Sequence, residues 1–121
     1  MKTVLVVDDE FSIALLLAAV LEDEGYRVIT AANGRQALER MAETKPDLII
    51  SDFMMPIMDG AALGRAVRAH PTYRNIPMIM TSGLPENAIH EQFDGYSAYL
   101  RKPFFEPALL KVLSEVLGRR G

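Results

Sequence analysis

The chain has 121 residues, 50% of them hydrophobic and 24% charged, with no cysteine and a formal net charge of −3. That length suits one domain with a single real core, the composition argues against disorder, and the lack of Cys excludes disulfide frameworks, thiol chemistry and Cys-ligated zinc. The 13 basic residues are scattered and give no electrostatic footprint for a nucleic-acid backbone, while Thr3 to Val7 is too short an apolar run to span a membrane. A soluble cytoplasmic protein is expected, with Arg119 and Arg120 as a simple tail.

Thr3-Val-Leu-Val-Val7 is β-branched and apolar and predicts a buried strand that ends in Asp8-Asp9-Glu10. From Phe11 onward Ile13, Leu16, Leu17, Val20 and Leu21 follow helical spacing until Gly25, with Asp9 as a candidate cap. Tyr26 to Ala31 predicts a weaker, more polar strand. Asn33-Gly34 then starts a helix with Ala37, Leu38 and Met41 inward, and Pro46 ends that connection. Leu48-Ile-Ile50 is apolar without alternation, as in a strand covered on both faces, and it delivers Ser51 and Asp52 before a turn-rich passage containing Pro56 and Asp59-Gly60.

A helix is predicted from about Ala61 to Ala69 with Leu63, Ala66 and Val67 inward, terminated by Pro71. Pro77 to Met80 reads as a core strand closed by Thr81-Ser82-Gly83, followed by a short helix from about Glu86 to Phe93. Ser97 to Arg101 forms the last strand and leads to Lys102-Pro103-Phe104. The final helix, from about Pro107, carries the clearest stripe, in Leu109, Leu110, Leu113, Val116 and Leu117. Five strands alternating with five helices call for a parallel sheet covered on both faces by right-handed crossovers, a (βα)5 sandwich. No sequence repeat underlies the spacing, so a solenoid is excluded.

Asp8 and Asp9 follow the first strand, Asp52 the third, Thr81 the fourth and Lys102 the fifth. In a parallel sheet these ends share one edge, the place where open α/β sheets bind ligands. Taken singly each has a plain structural reading: helix-start acids, a turn aspartate, a hydroxyl bonded to backbone, a solvated lysine. Together they mean more. Three neighbouring carboxylates repel by roughly 1–4 kcal/mol per pair and call for a compensating cation. Magnesium prefers oxygen ligands and is commonly held by one or two carboxylates with phosphate oxygens, and Lys102 adds a point charge suited to phosphate. A metal, an ammonium and a hydroxyl around a carboxylate can stabilise phosphoryl transfer, with Asp52 as nucleophile forming an aspartyl phosphate.

The motifs VVDDE, SDFMMPIMDG, MTSG and YLRKPF, in this order and spacing, resemble the receiver domain of two-component response regulators from about Met1 to Leu117. The resemblance implies a doubly wound, flavodoxin-like α/β fold with strand order 2-1-3-4-5, the order of the family's chemotaxis members. It implies Asp52 as phosphoacceptor, Asp9 as direct Mg2+ ligand, Asp8 acting mostly through a metal-bound water, and Met54 supplying a backbone carbonyl to the metal. Thr81 and Lys102 would contact the phosphoryl group, Tyr99 would be the aromatic switch, and the Lys102-Pro103 bond would be cis. Met54 and Gly83 depart from relatives that often place polar side chains there, and neither can orient a water through its side chain, so slow self-dephosphorylation is expected; the alternative is that Gly83 leaves water an open path.

His70 and His90 fall on predicted helices away from this edge and read as surface residues. Met54, Met55 and Met58 could form a partner patch, but core or loop filling is commoner. The resemblance implies a sensor histidine kinase or phosphotransfer protein as donor, a downstream effector protein as recipient of the signal, and the face of the fourth helix, fifth strand and fifth helix as the output surface. Phosphorylation-dependent dimerisation stays open. Because the chain stops soon after the fifth helix, output through another protein or a further domain is expected. Three other readings compete: a pseudo-receiver, opposed by the intact acidic set; a haloacid-dehalogenase-like phosphohydrolase, which needs a second acid where Met54 stands; and a flavodoxin-like cofactor binder, whose phosphate loop would meet Asp8-Asp9-Glu10.

Overall fold

The computed structural model describes residues 1–118, so Arg119 and Arg120 lie outside the described residues. Strands β1 (Thr3–Val7), β2 (Arg27–Ala31), β3 (Leu48–Asp52), β4 (Met78–Ser82) and β5 (Ala98–Arg101) alternate with helices α1 (Phe11–Asp23), α2 (Gly34–Glu43), α3 (Gly60–Ala69), α4 (Glu86–Gln92) and α5 (Glu106–Leu117). All strand pairs are parallel, in the order β2-β1-β3-β4-β5 that the resemblance implied.

The unalternating strands behave as their composition demands: every residue of β1, β3 and β4 is buried, whereas β2, at an edge, is half exposed. Side chains on a strand point to opposite faces in turn. Leu5, Val7, Ile49, Met78 and Met80 therefore meet α2, α3 and α4 through Ala37, Met41, Leu63, Val67 and Ile89. Val4, Val6, Leu48, Ile50 and Ile79 meet α1 and α5 through Ala14, Leu17, Leu21, Leu109 and Leu113. Each fully buried Leu, Ile or Met contributes about 1.5–3 kcal/mol through removal from water.

Two expectations for α1 are corrected. Its buried stripe is Ala14, Leu17 and Leu21, and Leu16 is 63% exposed. The run Ala14-Leu-Leu-Leu17 is continuously apolar, so spacing alone leaves the inward face undetermined, and contact with the sheet chooses the face bearing the small Ala14. Nor does Asp9 cap the helix. The N-cap is Glu10, whose backbone N–H donates to Asp8 Oδ1 at 2.9 Å, so the preceding aspartate organises the turn. The expected caps and breakers elsewhere hold. Asn33 accepts from Gln36 N at 2.9 Å while Gln36 Oε1 accepts from Ala32 N at 2.8 Å. Helix α3 ends before Pro71 as expected, whereas Asp59, read from sequence as part of a turn, is the N-cap of α3 and accepts from Ala62 N at 2.8 Å. Strand β4 runs through Thr81 and Ser82, which pair with Leu100 and Arg101 of β5, rather than stopping at Met80.

Between Pro56 and Asp59 the chain makes an unusual tip. Ile57 has φ +68°, and Met58 N donates to Pro56 O at 2.7 Å, a left-handed γ-turn centred on a β-branched residue. A backbone so placed costs about 1–3 kcal/mol. The surroundings clamp it. Gly34 N donates to Met58 O at 2.9 Å, and Gly60 N donates to Phe53 O at 2.8 Å. Gly60 has to be glycine, since a Cβ there would sit 2.5 Å from the Asp52 carbonyl oxygen.

Candidate functional site at the carboxyl edge of the sheet

The four residues that bear charge converge. Asp8 directly follows β1, Asp52 is the last residue of β3, and Lys102 directly follows β5. Carboxylate oxygens of Asp8, Asp9 and Asp52 all lie within 4.8 Å of one another. Lys102 Nζ reaches across the sheet to Asp8 Oδ2 at 3.1 Å and Asp52 Oδ1 at 3.3 Å. Its own backbone is fixed by the bond from Lys102 N to Ser82 O at 2.7 Å, and the Lys102-Pro103 peptide is cis as the resemblance implied.

Burial sets the electrostatics. Asp52 is 8% exposed, and desolvation pushes its carboxyl up to about 6; Lys102 works against this and Asp8 adds to it. For Lys102, desolvation opposes the charged form, but Asp52 and Asp8 together hold its pKa above the usual lysine value. One ammonium against three carboxylates leaves uncompensated negative charge. The donors are all hard oxygens, one carboxylate is exposed and two are buried, which fits a divalent ion such as Mg2+ that keeps part of its water shell.

Thr81 sits beside Asp52 in the strand register, although its hydroxyl donates to Ser51 O at 3.5 Å rather than to the carboxylate. Met54 is 65% exposed and shares with Asp9, Met55, Pro56 and Asp59 an open cleft of about 330 Å³ beside the acidic group. The three methionines do not act alike: Met55 and Met58 are half-buried, and Met58 fills the space over Gly34. Tyr99 is half-buried on β5 with its hydroxyl against the carbonyls of Ser82 and Leu84, so it straps the β4–α4 loop; burial raises its pKa.

His70 and His90 are exposed, as expected. His70 stacks on Tyr73 at 4.0 Å, and His90 lies 3.2 Å from the Tyr96 hydroxyl, which donates to Glu86. Sequence reading missed Asp8 as a lysine partner and missed Ile57. The only available signal for the latter is an apolar β-branched residue inside a passage bounded by Pro56 and Asp59-Gly60. Among the described residues no helix is long and apolar enough to cross a membrane.

Comparison with known proteins gives the chain relatives in both sequence and fold. Residues 4–114 match the response regulator receiver domain family. The phosphate regulon transcriptional regulatory protein PhoB of Pseudomonas aeruginosa is 38% identical over 122 residues, which cover 99% of this chain and 53% of PhoB, so the chain spans about half the length of that relative. The chemotaxis protein CheY of Halobacterium salinarum is 34% identical, with 96% of this chain and 97% of CheY covered. The crystal structure of the receiver domain of the sensor histidine kinase PA1611 from Pseudomonas aeruginosa, described with a magnesium ion coordinated in its active-site cleft, superposes with TM-score 0.88 at 29% identity, covering 97% of this chain and 98% of that one. With its parallel sheet in the order β2-β1-β3-β4-β5 and an acidic group at the carboxyl rim, this chain belongs to the response regulator receiver domain family of two-component systems.

Proposed function

We propose that the chain is a single receiver domain acting in the cytoplasm as a phosphorylation-controlled switch, in which Asp52 accepts a phosphoryl group from a histidine kinase or phosphotransfer protein. The observation that carries this reading is the placing of the Asp52 carboxylate within 4.8 Å of Asp8 and Asp9 oxygens and 3.3 Å from Lys102 Nζ. Asp9, Asp52 and the Met54 backbone carbonyl would hold Mg2+ directly, with Asp8 acting through a metal-bound water. When bound, Mg2+ supplies charge neutralisation for the phosphoryl oxygens.

The remaining steps belong to the chain. An ionised Asp52 oxygen attacks phosphorus as the bond to the donor's imidazole nitrogen breaks, and that nitrogen keeps the electron pair. Lys102, already aimed at Asp52, moves to a phosphoryl oxygen and stabilises its charge. The Thr81 hydroxyl exchanges the Ser51 carbonyl, a long 3.5 Å contact, for another phosphoryl oxygen. Withdrawal of Thr81 leaves room beside β5, and Tyr99 changes rotamer, altering how the α4, β5 and α5 face meets an effector protein. Met54 and Gly83 offer no side-chain donor for an attacking water, so the phosphorylated form persists for minutes or longer; a half-life of seconds in magnesium buffer would contradict this. The same absence of an acid two residues past Asp52 disfavours a turnover phosphohydrolase.

Incubation with phosphoramidate and Mg2+, followed by intact mass measurement, tests the reading. One added phosphoryl group on the wild type, not formed when EDTA replaces Mg2+ and absent in Asp52→Asn, is expected. An adduct of equal yield in Asp52→Asn would overturn it.

A further inference from the structure

Neither backbone preference nor burial accounts for an isoleucine at position 57. Its φ of +68° disfavours any β-branched residue, and glycine or asparagine would occupy that conformation with less strain. Burial does not compensate, because the side chain is 76% exposed while its neighbours carry the loop's anchoring through Met58 and Gly60. A strained and exposed isoleucine points outward, to a contact beyond the chain. Its position says which contact. Pro56, the residue before it, lines the open cleft together with Asp9, Met54 and Asp59, and Asp9 in turn belongs to the acidic group that includes the 8% exposed Asp52.

We propose that Ile57 is a specificity-determining contact for the protein phosphodonor, resting on the reading that Asp52 is the acceptor. A donor imidazole can reach Asp52 only if the surface around it covers the rim. The cleft combines the exposed apolar Met54 with the acidic Asp9 and Asp59, and the exposed Ile57 adjoins it in sequence through Pro56. The matching partner surface is an apolar patch next to the phosphohistidine, flanked by Lys or Arg. A small phosphodonor needs no such contact.

The test uses the full chain as wild type, Ile57→Gly, Ile57→Asn and Ile57→Val. Each is phosphorylated by phosphoramidate with Mg2+ and, separately, by the autophosphorylated histidine kinase that transfers fastest to wild type in a purified panel. Gly and Asn should melt at or above the wild-type temperature and react with phosphoramidate within twofold of its rate, yet lose at least fivefold in transfer from the kinase; Val should retain it. Unchanged kinase transfer in Gly and Asn overturns the proposal, as does a lowered melting temperature in both, which would make the role structural. Failure of wild type to be labelled by phosphoramidate would instead overturn the assignment of Asp52, and the proposal with it.

Discussion

The interior of the sheet and its carboxyl rim are built from adjacent residues under opposite rules. Leu48, Ile49 and Ile50 are buried among apolar neighbours on both faces, and nothing in their environment asks for another molecule. Two residues later Asp52 is nearly as enclosed but keeps a carboxylate, pushed up to about 6 chiefly by that enclosure. The interior stabilises the fold, and the rim draws on that stability to hold three carboxylates and an ammonium together, where the proposed function puts a cation and a phosphoryl group. Stability and function are thus separated by a few ångströms along single strands.

Mutations placed on either side of that boundary should differ in sign. Ile49→Ala, in the interior, should cost about 2–5 kcal/mol in urea unfolding, through lost transfer energy and a cavity. Asp52→Asn should do the reverse and stabilise the metal-free domain by roughly 1–3 kcal/mol at pH 7, because the buried charge disappears while Lys102 keeps Asp8. A clear loss of stability in Asp52→Asn would erase the distinction between interior and rim.

The pH dependence follows the same logic. The folded carboxyl holds its proton more tightly than an ordinary aspartate at 3.8, so metal-free stability falls as pH rises from about 4 to about 6. Mg2+ competes for the ionised form. Its addition should raise the melting temperature little at pH 5 and distinctly at pH 7.5, and a shift of equal size at both would contradict the assignment of Asp52 as a ligand. The smallest effect lies away from both regions: Asn33→Ala removes the α2 cap and should cost about 1 kcal/mol without changing Mg2+ affinity.

Elements with strong local signals were legible from sequence. The apolar runs of β1, β3 and β4 and the stripe of α5 each permit one placement, and the spacing of Asp8, Asp9, Asp52, Thr81 and Lys102 permitted one shared edge. The failures come where local chemistry is degenerate. Four successive apolar residues in α1 fit more than one stripe, so helical spacing places Leu16 inward although it faces solvent. Asp9 and Glu10 both precede α1, and only the bond from Glu10 N to Asp8 fixes the cap. Ile57 carries no turn signature of its own; its left-handed backbone is imposed by clamps at Gly34 and Gly60, which pair with distant segments.

The most direct measurement is chemical mapping of the phosphorylated residue. After treatment with phosphoramidate and Mg2+, borohydride reduction should convert the acyl phosphate to homoserine, located by peptide sequencing in the mass spectrometer. Homoserine at position 52 alone, formed only with the metal present, is the predicted result. Phosphate retained on a histidine or hydroxyl residue, or homoserine at Asp8 or Asp9 with position 52 unmodified, would contradict the account.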